Sequence, residues 1–131
     1  MGRVLGAVDS AQCQQTINFD YISSLVTQAF YVAPRACVVV DIRGRPRVAG
    51  SGGACTVSFY KAPSGTAVAS GTLLHTGSYN MVGTADTNQV LTLATNPDTL
   101  VLQVGDSLGY ALTGTATSAV GTFGVTIEPL A

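Results

Sequence analysis

A chain of 131 residues has the length of one domain, and a chain of that size buries roughly two-thirds of its unfolded surface without needing a metal or disulfide. Hydrophobic residues make up 47 % and charged residues only 10 %, against about 25 % charged in an average domain, and the formal net charge is −1. That balance excludes the clustered positive field that nucleic-acid binding requires, and no apolar run reaches the roughly 18 residues of a membrane span.

The first ten residues hold no basic region followed by an apolar stretch, so the chain is expected to work in a cytoplasm, or on a particle that later leaves one. Residues 1–26 are set apart as an N-terminal arm and residues 27–131 as a β-domain. Within the arm, Ile17, Phe19 and Tyr21 alternate as in an extended segment. Ile22, Leu25, Val26 and Phe30 equally fit one face of a short helix capped by Asp20. In either form Ile17, Phe19 and Tyr21 are candidates to order against a partner.

From Phe30 onward, apolar and polar residues alternate, and Gly, Pro, Asn or Asp interrupts every eight to twelve positions, the spacing of sandwiches and barrels. About eight strands are predicted. They are Phe30–Val32, Cys37–Arg47, Ala54–Lys61, Leu73–His75, Tyr79–Val82, Gln89–Ala94, Leu100–Tyr110 as a hairpin, and Ala119–Ile127. Parity aims Cys55, Val57 and Phe59 inward in the third of these, Leu91 and Leu93 in the sixth, and Phe123, Val125 and Ile127 in the last. In Cys37–Arg43, Val38, Val40 and Ile42 are expected in the core, leaving Val39 to be covered by another subunit or segment.

Eight short antiparallel strands around one core suit an all-β, two-sheet β-sandwich of jelly-roll type with an extended N-terminal arm. The nearest rival, an immunoglobulin-like sandwich, usually carries a core Trp, which this chain lacks.

Chemistry-bearing residues are sparse. A nucleophilic triad needs a base oriented by a carboxylate, and a zinc site needs three or four convergent ligands. The single histidine, His75, has no neighbouring acid in sequence and reads as structural. Asp86, Asp98 and Asp106 stand in turn contexts, where a short carboxylate accepts backbone N–H groups. Cys13, Cys37 and Cys55 are odd in number and widely spaced, so they read as reduced thiols serving as small hydrophobes. Gly50-Ser51-Gly52-Gly53 reads as a connector. No enzyme, cofactor or metal is expected.

One charged feature stands out. In Arg43-Gly44-Arg45-Pro46-Arg47, three of the chain's six basic residues project from one side of an extended strand. This is either a solvated edge kept from aggregation by charge and proline, or a contact to acidic groups of a protein partner.

The succession Val48-Ala49-Gly50-Ser51-Gly52-Gly53-Ala54, Tyr60-Lys61-Ala62-Pro63-Ser64-Gly65-Thr66-Ala67, Ser70-Gly71-Thr72 and Gly83-Thr84-Ala85-Asp86-Thr87-Asn88-Gln89 is familiar. So are Leu102-Gln103-Val104-Gly105-Asp106-Ser107-Leu108, Leu112-Thr113-Gly114-Thr115, Ala119-Val120-Gly121 and Ile127-Glu128-Pro129. In order, and over about two-thirds of the chain, it resembles the small capsid decoration, or cement, proteins of tailed bacteriophages. The resemblance implies a jelly roll that binds the outside of an assembled phage head. Its partners would be the major capsid protein and copies of itself, as a dimer or trimer at symmetry axes, with no nucleic acid or membrane involved. The alternative function is a carbohydrate-binding or fibre-tip module for a host glycan, whose sugar-stacking candidates are Tyr21, Tyr31, Tyr60, Tyr79 and Tyr110.

Overall fold

The computed structural model describes residues 14–22 and 25–130, and Cys13 lies outside them. The strands are β1 (Gln15–Ile22), β2 (Gln28–Val32), β3 (Cys37–Val48), β4 (Cys55–Ala62), β5 (Thr72–Leu73) and β6 (His75–Thr76). They continue with β7 (Tyr79–Asn80), β8 (Gln89–Val90), β9 (Thr92–Leu93), β10 (Val101–Leu102), β11 (Ser107–Gly114) and β12 (Val120–Pro129). Sheet I has the order β1-β12-β3-β10, with β8 also on β3. Sheet II has the order β2-β11-β4-β5, with β7 also on β4, and β6 pairs β9 apart from both. All pairings are antiparallel.

Numbering only the eight strands on the two paths in chain order, sheet I runs first, eighth, third, sixth, and sheet II second, seventh, fourth, fifth. Successive strands therefore cross between sheets everywhere except from fourth to fifth. This is the wrapping of a jelly roll.

The core lies where the inner faces meet, and Phe123 of β12 is its hub. Its ring lies 4.9 Å from that of Phe59, 5.3 Å from those of Phe19 and Tyr110, 5.6 Å from Tyr21, 5.8 Å from Tyr79 and 6.4 Å from Phe30. Room for this cluster depends on Gly44, paired with Phe123 across β3 and β12. A Cβ there would stand 2.5 Å from Tyr79 Cε1 and 2.9 Å from Phe123 Cβ.

The inward positions expected in β4 and β12 are buried. Three expectations are corrected. In β3, Val39 is core and Val38 and Val40 are only half-buried. Thr126 pairs with Asp41 but Ile127 pairs with Val39, so Val40 is the extra residue of a β-bulge. The bulge shifts the alternation by one, which is why Cys37 and Val39 share a face with Ile42.

Leu100–Tyr110 is not a hairpin, because β10 belongs to sheet I and β11 to sheet II. The Gly105-Asp106 turn is a corner between sheets. The Asp106 carboxylate accepts the Gln103 N–H at 2.9 Å, and the backbone of Ala33 exchanges hydrogen bonds with Gly105 and Asp106.

Leu73–His75 and Gln89–Ala94 each break in two at a buried leucine. The Leu74 N–H donates to the Phe59 carbonyl and the Leu91 N–H to the Ile42 carbonyl. Each leucine thereby enters the core while the chain passes from one partner strand to another.

Candidate interaction surface

Among the described residues, the outer face of sheet I, where β12 lies between β1 and β3, forms a continuous surface. Register places its side chains in rows of three. Thr16, Thr126 and Asp41 form one row, and Asn18, Gly124 and Arg43 the next. Asp20, Thr122 and Arg45 follow, and then Ile22, Val120 and Val48. In these four rows the central strand contributes only small side chains, so this part of the face has a low floor flanked by charge. Two open depressions of about 440 and 480 Å³ lie along it and share Arg45 and Thr122.

Arg43, Arg45 and Arg47 all point outward and are exposed. Downstream of the bulge their parity is uninterrupted, while Ile42, Gly44 and Pro46 turn inward. The Arg43 guanidinium donates to both Asp41 carboxylate oxygens, at 2.5 and 3.0 Å, and this contact raises its pKa. Arg45 stands 3.9 Å from Asp86, whose backbone is left-handed at φ 59° and whose N–H donates to the Pro46 carbonyl. Arg47 is the unpaired extra residue where Pro46 and Val48 meet Gly121 and Val120.

Ile17, Phe19 and Tyr21 do not join this surface. They alternate inward from β1, Tyr21 is only 1 % exposed, and the Phe19 ring lies against Phe30, Tyr110 and Phe123. Expected to order against a partner, they are instead spent on this chain's own core. The extended alternative holds for Gln15–Ile22, with Asp20 inside the strand rather than capping a helix.

The sequence did not assign Asp20, Thr122 or the apolar row of Ile22, Val120 and Val48 to a common surface, and it offered Asp20 as a helix cap instead. Their parity was readable, but their neighbours were not, because β1 and β12 are about a hundred positions apart in the chain.

His75 is 2 % exposed. Its Nε2 accepts the Phe59 N–H at 2.9 Å, so Nδ1 carries the proton and donates to the Thr76 carbonyl at 3.2 Å. Burial pulls its pKa below the ordinary histidine range, against the Thr76 carbonyl, which raises it. The imidazole thus fills the ladder position of a missing strand beside β4. Among the described residues no three of His, Cys, Asp and Glu converge as metal ligands.

Cys37 and Cys55 are buried free thiols, and burial pushes both pKa values up. Ser51 of the glycine-rich connector is pinned to Thr117, with backbone hydrogen bonds in both directions and a 3.0 Å contact between hydroxyls. Of the tyrosines, Tyr21, Tyr79 and Tyr110 are buried and Tyr31 and Tyr60 half-buried, so no exposed aromatic platform for a sugar is formed by them.

Two likenesses to solved structures run over nearly the whole chain. A chain of the capsid asymmetric unit of cyanophage Pam1 aligns with 96 % of this chain and 100 % of its own length, at TM-score 0.54 and 13 % identity. A chain of the capsid of Ralstonia phage GP4 aligns with 98 % of this chain and 93 % of its own, at TM-score 0.56 and 17 % identity. At these identities the likeness is one of fold. No protein-family model and no curated protein sequence matches the chain.

Proposed function

We propose that this chain is a structural protein of a tailed-phage virion, a decoration or cement protein that binds the outer surface of the assembled head. The observation that carries the reading is the jelly roll shared almost end to end with chains from two phage capsids. The sequence resemblance to phage cement proteins points the same way. In this reading residues 1–26 include the attaching segment and residues 27–131 the bulk of the sandwich. The major capsid protein and further copies of the chain at two-fold or three-fold axes are the partners. Arg43, Arg45 and Arg47 contact acidic groups of a neighbouring subunit. Head assembly and decoration take place in the bacterial cytoplasm.

The mechanism is linkage. Each bound copy adds contacts that exist only in the assembled shell, so binding shifts the equilibrium away from disrupted heads. A low-charge surface suits this, because few ions have to be desolvated when it is covered. The experiment mixes the purified chain with heads lacking it, from the phage that encodes it. Co-sedimentation and a raised disruption temperature are expected, and no binding at saturating chain overturns the proposal.

A further inference from the structure

We infer that the outer face of sheet I is a self-complementary contact, on which a second copy of this chain packs face to face about a two-fold axis running along β12. This deepens the proposed function by naming the neighbouring subunit that Arg45 meets.

Register and charge both lead to this packing. Asp20, Thr122 and Arg45 lie in one row, with the acid on β1, the base on β3 and a small side chain between them. A two-fold along the middle strand exchanges left and right and leaves each row at its own height. Asp20 of each copy then falls over Arg45 of the other, giving two equivalent ion pairs, and Thr122 meets Thr122 on the axis. In the next row Ile22, which is 71 % exposed, falls over Val48, which is 44 % exposed, with Val120 between them. Within these four rows the charges, Asp20 and Asp41 against Arg43 and Arg45, balance, which spares two copies a net repulsion there.

Charge also selects the axis. A two-fold across the strands would leave β3 over β3 and set the arginines of the two copies against each other, which costs energy. Glu128 also lies on β12 and would meet its own copy if the strands ran parallel. Packed sheets cross at about 30°, and six residues from a crossing point at Thr122 this carries the two Glu128 side chains about 10 Å apart. The low floor of Val120, Thr122 and Gly124 lets the sheets approach. At about 3.3 Å per residue and about 4.8 Å per strand the face spans only a few hundred Å² per copy, the low end for specific interfaces, so association of free chains is weak and gains from clustering on a shell.

The test needs no shell, so its failure and that of head binding are separable. Sedimentation of the full chain from about 10 µM to about 1 mM is expected to show a reversible dimer of twice 13.3 kDa. Asp20→Arg and Arg45→Asp each leave a folded monomer, the latter with a slightly lower melting temperature because its exposed contact with Asp86 is lost, and the double reversal restores the dimer. In a Cys13→Ser background, Thr122→Cys cross-links to itself under mild oxidation, whereas Thr72→Cys, exposed on sheet II, does not. A monomer at about 1 mM, a double reversal no better than the singles, or cross-linking no faster at position 122 than at 72 overturns the inference.

Discussion

The hydroxyl of Tyr21 lies 2.6 Å from that of Tyr79, deep in the core, and this one hydrogen bond ties β1 at the edge of sheet I to β7 of sheet II. The rings meet edge-on, with centroids 6.0 Å apart. One hydroxyl donates to the other in a place where both residues are only 1 % exposed.

Removing one hydroxyl therefore strands its partner. Tyr21→Phe or Tyr79→Phe is expected to cost about 1–3 kcal/mol of unfolding free energy, whereas the double variant costs less than the sum. Chemical denaturation of the four chains closes the cycle, and additive losses would show that the bond carries no coupling. Burial raises both pKa values, Tyr79 the more strongly, with its Tyr21 partner adding to the rise. For an acid whose folded pKa is raised, stability is intact below the unfolded value of 10.0 and falls as pH climbs beyond it. An ultraviolet titration should show these two tyrosines ionising only as the fold opens.

His75 gives the acid-side counterpart. Its folded pKa is lowered from 6.5, chiefly by burial, so the unfolded chain binds the proton more readily. Stability is whole above pH 6.5 and declines as pH falls from 6.5 toward the lowered value, below which this contribution stops changing. His75→Gln, which keeps a polar group near the Phe59 N–H, is expected to be less stable at neutral pH but to lose the slope just below pH 6.5. Melting curves of both chains across that range check it. An unchanged slope would place the linkage elsewhere.

Gly44 is required by the ring cluster rather than by a turn. A methyl at this position meets Tyr79, Phe123 Cβ and the Thr122 carbonyl, all within 2.9 Å. Gly44→Ala is expected to cost about 1–3 kcal/mol through overpacking. Phe123→Ala empties the hub and is expected to cost about 3–5 kcal/mol. Equilibrium denaturation measures both, and a neutral Gly44→Ala would mean that the rings have slack.

What was legible in the sequence follows from how local each signal is. Parity placed Cys55, Val57, Phe59, Phe123, Val125 and Ile127 correctly because β4 and this part of β12 keep one phase over those residues. The same rule set Arg43, Arg45 and Arg47 on one side. It failed for the row that joins Asp20, Thr122 and Arg45, because a row is a property of three strands and only their pairing creates it. It failed again for Leu100–Tyr110, since a Gly-Asp turn looks the same whether the next strand doubles back or crosses to the other sheet. The inward trio Ile17, Phe19 and Tyr21 was visible as a pattern, but nothing local said whether its own core or a partner would receive it.

The bulge in β3 offers the sharpest check on the fold itself. A strict alternation through Cys37–Arg43 buries Val38 and Val40, whereas the extra residue at Val40 buries Val39 at 1 % exposure and leaves its neighbours half-covered. Burying a valine fully contributes about 1.5–3 kcal/mol, so Val39→Ala is expected to cost about 2 kcal/mol. Val40→Ala, which loses partly solvated methyls, is expected to cost under about 1 kcal/mol. A polar side chain sharpens the contrast, since Val39→Asn buries an unsatisfied amide while Val40→Asn leaves it reachable by water. Parallel denaturation of these variants reads the phase of the strand directly. If the Val40 variants proved the more damaging, the bulge would be misplaced. The faces of Cys37–Val40 would then have to be redrawn, whereas Ile42 inward and Arg43 and Arg45 outward follow from the alternation downstream, with or without the extra residue.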